Sequence, residues 1–164
     1  MYYRDDKYLV FDDKFGVSKN HLDIIPTQVI ADISALTEEH IPMLEQLYAL
    51  GKAELVRRKV PVLLDMGDDA LVAGYNFPVS VKHLHLHMVC GPFSHEKVFQ
   101  YPRWHPHSKV VSDLKQYGKV RTYAECPDPE AGAASYERAM ASHNRALKLL
   151  EEAASSASAV QPNL

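Results

Sequence analysis

The 164-residue chain carries 18 Lys and Arg against 21 Asp and Glu, a formal net charge of −3, and is 46% hydrophobic and 24% charged. That balance suits one globular domain with a real core and excludes a polycation, a low-complexity coil and a disulfide-rich scaffold. No apolar run approaches ~20 residues and Met1 to Lys7 reads as neither signal nor transit peptide, so no membrane partner is expected. Cys90 and Cys126 stand without a motif, pointing to a reduced cytoplasmic or nuclear setting.

Tyr8 to Phe11 reads as a first strand and Asp12 to Gly16 as the turn after it. His21 to Ile25 is a second strand, stopped by Pro26. Thr37 is a good N-cap, and Glu38 and Glu39 complement the dipole of the helix that follows. Ile41, Leu44, Leu47, Tyr48 and Leu55 form its apolar stripe, and Pro61 ends it, so the helix is placed at 38–59. Val62 to Leu64 fits a short strand or a helix exit, and Asp65 to Asp69 a turn. Ala70 to Tyr75 and Lys82 to Cys90 read as strands joined by a short link containing Pro78. Residues 92–102 read as a loop, Ser108 caps a short helix through Tyr117, and Val120 to Tyr123 reads as a last strand. Asp128-Pro129 opens a helix of about 25 residues with Tyr136, Met140, His143, Leu147 and Leu150 on one stripe. That stripe packs on the domain or, alternatively, forms a dimer contact; His143 within it reads as a packed residue. Ala153 to Leu164 is small and polar and is expected to fray.

The predicted architecture is α+β: an antiparallel sheet of about five strands with a long central helix on one side and a C-terminal helical extension. The chain divides into residues 1–121, a catalytic domain; 122–152, an extension packing on it; and 153–164, a flexible tail.

His83, His85 and His87 alternate with Leu84 and Leu86. Chance places three histidines at alternate positions in a chain of this composition roughly 0.03 times. On a strand all three rings share one face, with Leu84, Leu86 and Met88 on the other. Metal binding and nucleophilic catalysis both use such a row. His83 and His87 would lie about 13 Å apart on a straight strand, too far to share one ion with ease. No Cys-x-x-Cys or His-Glu-x-x-His completes a site, so no metal or other cofactor is expected. Nucleophilic catalysis fits better: the middle ring attacks an electrophile while its neighbours, about 7 Å away, contact the groups around it.

The run resembles the signature of the histidine triad superfamily, His-φ-His-φ-His-φ-φ with φ apolar, at every position. Phe11-x-Asp13 followed by His21 to Pro26 resembles the family's first hairpin. Gly74-Tyr75-Asn76-x-Pro78-x-Ser80-x-x-His83 resembles the approach to the triad in its aprataxin-like branch. The likeness covers about residues 8–121. It implies a nucleotide-binding fold and attack on a nucleotide α-phosphorus by His85, through a covalent nucleotidyl-histidine. It also implies that His83 and His87 flank the phosphate, that His21 is the upstream active-site histidine and that Ser80 contacts phosphate or leaving group. Asn76, Asp13, Lys82 and Trp104 join them as expected substrate contacts. Departures are present: Pro26 is followed by Thr27-Gln28-Val29 where many members have Pro-Lys-x-His. The link Asn76 to Val79 replaces a glycine- and glutamine-rich loop, and Gly16 stands where proline is frequent. These favour the aprataxin-like branch, though aprataxin's zinc-finger tail has no counterpart in residues 128–150.

The resemblance implies an adenine nucleotide conjugate such as an adenosine 5′-phosphoramidate as substrate, with an adenylated 5′ end of DNA or RNA as the alternative. Residues 92–121 bear on the choice, holding six Lys and Arg against two Asp and Glu, with His95, His105, His107, Phe99, Tyr101 and Trp104. Cations beside aromatics suit a phosphate backbone and a stacked base, but the same composition suits a solvated loop with a core tryptophan. A non-catalytic nucleotide sensor is a third reading, and a homodimer remains open.

Overall fold

The computed structural model describes residues 1–159. Six short strands, β1 (Tyr3–Arg4), β2 (Tyr8–Asp12), β3 (Asn20–Pro26), β4 (Val72–Asn76), β5 (Leu86–Cys90) and β6 (Trp104–Pro106), form one antiparallel sheet ordered β1-β2-β3-β5-β4-β6. The α+β expectation holds, with six strands instead of about five. Alternation decides which face is core. Val10, Ile24 and Leu86 align across three strands, as do Leu22 and Met88, and all five are fully buried.

Helix α1 (Ile41–Arg57) covers that face, entered through a 3-10 turn at Glu38–His40. Thr37 N–H donates to the His40 ring at 2.9 Å, which satisfies one of the donors a helix start leaves open. Gly51 makes the contact with the sheet: a Cβ there would lie 2.8 Å from Ile24 Cδ1 and 2.9 Å from Met88 Sδ. A side chain at that position would lift the helix off the core. Val62 to Leu64 is the helical alternative, within α2 (Pro61–Met66), and the Asp65–Asp69 turn runs into a 3-10 segment at Gly67–Ala70.

Two predicted strands are corrected. The Lys82 to Cys90 strand begins only at Leu86, because His83 N–H donates to Val81 C=O at 3.0 Å and Leu84 N–H to Ile30 C=O at 2.7 Å. Val120 to Tyr123 is not a strand, although Val120, Thr122 and Tyr123 are buried. Side chains take its donors: Arg121 N–H meets Asp113 Oδ2 and Tyr123 N–H meets His105 Nε2, each at 3.0 Å. The edge belongs to β6 instead.

Helix α3 (His107–Tyr117) follows β6, and α4 runs Pro129–Ala159, started as expected by Asp128, whose Oδ1 accepts Ala131 N–H at 3.1 Å. It continues past residue 152 through Ala153, Ala154 and Ala157, which are good helix formers; residues 160–164 of the expected tail lie outside the described residues. The inward stripe of α4 keeps part of the expected one, Tyr136 packing on the second apolar cluster and His143 on Phe93, but not its C-terminal leucines. Gly132, Ala139, Ser142 and Ala146 are buried, while Leu147 and Leu150 are exposed. Small residues are required because the helix passes very close: a Cβ on Gly132 would strike the Tyr101 ring, and one on Gly91 would sit 2.7 Å from His143 Cα. Ser142 Oγ accepts Gly91 N–H at 3.2 Å and donates to Ala70 C=O at 2.8 Å, clasping α4 to the end of β5. His143 is packed, stacked on Phe93 and accepting Phe93 N–H at 2.8 Å.

His107 is stacked on Tyr48 with ring centroids 5.0 Å apart, and its Nδ1 is hydrogen-bonded to the Tyr75 hydroxyl at 3.1 Å. Burial pulls it down to about 4. The unfolded chain protonates this ring near pH ~6.5, the folded protein only near 4, so stability is lost as pH falls from ~6.5 toward 4. Denaturant melts at pH 7 and pH 4.5 should show the wild type losing roughly 2–3 kcal/mol more than a His107→Gln variant. Equal losses would remove His107 from the account.

Candidate active site

The second face of the sheet is polar at its centre. The register aligns Phe11, Asp23, His87 and Gly74 in one row across β2, β3, β5 and β4. The next row is His21, Val89 and Val72, prolonged by Asp13, whose N–H donates to His21 C=O at 2.9 Å. Two-residue periodicity therefore puts His21 and Asp23 on the face that carries His87. Below them Val17, Val72, Val89, Phe93, Phe99, Trp104 and Ala139 form a second apolar cluster, through which α4 covers the lower part of this face.

Hydrogen bonds assign the protons of the rings, because each neutral imidazole has one N–H and one acceptor. Val17 N–H donates to His21 Nδ1 at 3.0 Å. The His21 proton is therefore on Nε2, which lies 2.9 Å from His87 Nδ1. His87 Nδ1 accepts it, and the His87 proton is on Nε2. His85 is the opposite tautomer: its Nδ1–H donates to His83 C=O at 2.8 Å, leaving the Nε2 lone pair unused. The His85 and His87 rings meet edge to face with centroids 4.7 Å apart. An unprotonated nitrogen and a protonated one thus stand side by side. Burial, followed by the neighbouring His87, pulls His21 down to about 4, which keeps it neutral.

Asp13 and Asp23 complete the cluster. Asp23 Oδ1 is 3.1 Å from His87 Nδ1, and Asp13 Oδ2 is 3.5 Å from His87 Nδ1 and 3.6 Å from His21 Nε2. Burial raises the Asp23 carboxyl. Burial also opposes ionisation of Asp13, but contact with Asp23 and the nearby His21 outweighs it and lowers that group. One carboxyl is thus biased to keep a proton and the other to lose one.

The donor atoms of Asp13, His21, Asp23 and His87 lie within 4.8 Å of one another. Tetrahedral zinc needs ligand–ligand edges of about 3.4 Å, so spacing alone fits an ion. The proton pattern does not. Ligation through His21 Nε2 would move its proton to Nδ1, where it would face the Val17 N–H. The four groups make a hydrogen-bonded cluster, and the residues do not fit a metal in this arrangement.

The rest of the predicted site is spread more widely. His83 lies on the irregular lead-in to β5, and its Nε2–H donates to Pro26 C=O at 2.8 Å, away from the other two rings. The expected single row of three imidazoles is corrected to an adjacent pair, His85 and His87, because the chain is not a strand before Leu86. Ser80 and Lys82 are exposed on the same lead-in and Asn76 is half-buried at the end of β4. Trp104 is 2% exposed, so it walls the site beside His87, 6.2 Å between ring centroids, and offers no open stacking face. Of the six cations in 92–121, Lys109, Lys115 and Lys119 pair with Asp113, Glu45 and Glu125, and Arg121 lies over the Tyr117 ring. Asp23 was not anticipated; its place two residues after His21, on the same strand face, is the signal that points to it. Two large clefts, about 660 and 770 Å³, open along the two flanks of α4, and neither is lined by His85 or His87. On this face of the sheet His87 is buried and His85 half-buried, and a small cavity bordered by Asn76, His83 and His85 lies beside the pair.

Gly74 sets the width of that face. A Cβ there would lie 2.6 Å from the Trp104 ring and 2.7 Å from His105 C=O. Gly74→Ala should therefore cost about 1–3 kcal/mol by overpacking and displace Trp104 toward His87, readable as a changed tryptophan fluorescence spectrum. Unchanged stability and spectrum would contradict this packing.

Residues 1–100 match the family model described as scavenger mRNA decapping enzyme C-term binding. A HIT domain-containing protein of Dictyostelium discoideum is 30% identical over 135 residues, 73% of this chain and 33% of the relative. Aprataxin of Gallus gallus is 24% identical over 126 residues, 72% of this chain and 38% of that protein. Adenosine 5′-monophosphoramidase HINT3 of Xenopus tropicalis is 25% identical over 91 residues, 54% of this chain and 56% of that protein. The chain thus spans about a third of the length of the first two relatives.

Proposed function

The chain belongs to the histidine triad superfamily, and on that footing we propose that it is a nucleotide hydrolase or nucleotidyl transferase acting at the α-phosphorus of nucleoside 5′-monophosphate conjugates. Adenosine 5′-phosphoramidate or a close analogue is the substrate class, a reading supported by likeness to an adenosine 5′-monophosphoramidase. The observation that carries it is the opposed tautomers of His85 and His87, a free imidazole lone pair beside an imidazole N–H.

His85 Nε2 attacks phosphorus and forms a nucleotidyl-histidine, which water then hydrolyses. A neutral imidazole is a competent nucleophile near pH 7 with no metal to activate it. His87 Nε2–H faces the phosphoryl oxygens or the departing group, where charge develops. His83, bonded to Pro26 C=O, braces the lead-in whose carbonyl orients His85. His21 fixes the His87 tautomer. Asp13, at the rim of the cluster, is the nucleoside contact in this reading, with Trp104 and Asn76 as further walls of the site. Ser80 and Lys82, both exposed on the lead-in, are the phosphate or leaving-group contacts. Removal of AMP from an adenylated 5′ end of DNA or RNA is the second reading, favoured by the likeness to aprataxin. Pairing of most cations in 92–121 weighs against a strong nucleic-acid patch there.

The test sets an AMP-amidate beside a 5′-adenylated oligonucleotide. His85→Ala should lose at least about a thousandfold in kcat while keeping nucleotide affinity within about threefold. Acid-quenched wild type should carry AMP on His85 by peptide mass spectrometry. Cleavage of the oligonucleotide alone, with steep salt dependence, would select the second reading. AMP binding without turnover of either substrate would leave a sensor, and normal turnover by His85→Ala would end the proposal.

A further inference from the structure

The larger of the two clefts, about 770 Å³, is lined by none of the histidines of the candidate site. That volume falls within the range of small-molecule sites, which are mostly apolar with a few polar groups to fix orientation. Its two sides differ. Val62, Phe93, Leu147 and Leu150 belong to the apolar side, and Leu147 and Leu150 are 41% and 56% exposed although both are large. The polar lining, Ser18, Lys19, Asn20 and Ser94, is gathered at the hairpin connection before β3. Ser94 belongs there because its N–H and its hydroxyl both donate to Val17 C=O, at 2.7 and 3.2 Å.

Three of these polar groups are already engaged. Ser18 Oγ donates to Cys90 C=O at 2.7 Å and accepts Asn20 N–H at 3.0 Å, Asn20 Oδ1 accepts from Arg58 at 3.4 Å, and Ser94 holds Val17. Lys19 is the one charged residue of the lining, and it forms no ion pair among the described residues. A cleft with exposed leucines on one side and a lone cation on the other is complementary to an apolar chain with an anionic head. We propose that it binds a free fatty acid, with the alkyl chain along α4 over Leu147 and Leu150 and the carboxylate at Lys19. The hairpin connection, the start of α2, residues 91–94 and α4 bound the recess on several sides, which suits a slender guest better than the flat surface of a protein partner. Lys19 is exposed, so its contact supplies choice of head group more than affinity. The inference stands apart from the histidine reaction and needs none of its catalytic groups.

Calorimetric titration of the full chain with dodecanoate and with dodecylammonium, both below their micelle concentrations, tests this. The two share an alkyl chain and differ in the sign of the head, and the net charge of −3 would by itself favour the cation. The wild type should bind one dodecanoate per chain, with Kd on the order of 10 μM and about fivefold or more below that for the ammonium. Lys19→Glu should reverse the order of the two heads. Leu150→Asp should weaken dodecanoate about tenfold or more. Both positions are exposed, so both variants keep the fold. Absence of saturable binding, a wild-type preference for the ammonium, an order unchanged by Lys19→Glu, or binding unchanged by Leu150→Asp would each overturn the inference. A dimer in sedimentation that Leu150→Asp dissociates would assign the cleft to a second copy of the chain and overturn it equally.

Discussion

A single backbone N–H sets the protonation pattern of the candidate site. Val17 donates to His21 Nδ1, and a neutral ring has one proton to place. Its other nitrogen must then be the donor, His87 must accept, and His87 must carry its own proton on the far side. The bond contributes only about 1 kcal/mol to stability, as such bonds do; its larger effect is on which tautomer exists. The turn after β2 puts Val17 there. Asp13 closes that turn, its side chain accepting Phe15 N–H at 2.8 Å and its carbonyl Gly16 N–H at 3.3 Å. Gly16 passes so close to His21 that an added Cβ would sit 3.1 Å from His21 Cβ. The hairpin connection, more than any catalytic side chain, holds the proton chain in order.

The sheet makes such a cluster possible by separating its two faces. One is wholly apolar beneath α1. The other has a polar centre walled by Trp104 and floored by Val72, Val89 and Phe99. Half-buried carboxyls and buried rings there would be costly singly. They are tolerable because each is within reach of another and because one proton can satisfy two of them at once. The α4 clasp at Gly91 and Ser142 acts on the same strand that carries His87. The C-terminal helix is therefore tied to the cluster through β5, the clasp at Gly91 standing four residues after His87.

How much of this was legible depends on where regular periodicity held. Strands β2, β3 and the second half of β5 follow their alternating apolar residues, and α1 and the start of α4 follow their caps and stripes. The segment 120–123 looked like a strand because Val120, Thr122 and Tyr123 suit one. What stopped it is long-range: Asp113 and His105 accept its N–H groups, and neither partner is visible from local pattern. The α4 stripe is only partly right, Leu147 and Leu150 being exposed, for another reason. A search for bulky apolar residues passes over Gly132, Ala139, Ser142 and Ala146, which pack by being small. His85, His87, His21 and Asp13 are singled out from sequence and lie together; Asp23 is not, and the alternation that puts it two residues after His21 on the same face gains its meaning only once β3 is seen to pair with the strand carrying His87.

The irregular lead-in to β5 decides which nitrogen of His85 is left free. On a regular strand through residues 83–85 the His83 carbonyl would belong to the ladder. Here His83 N–H and Leu84 N–H turn to Val81 and Ile30, and the His83 carbonyl is left to hold His85 Nδ1–H. His85 and His87 are the same residue type, two positions apart, with opposite tautomers. The backbone meets one ring with an acceptor, the His83 carbonyl. It meets the other, through His21, with a donor, the Val17 amide. In the proposed reaction the lone pair for attack and the proton for departure therefore arise from the lead-in to one strand and the turn before another.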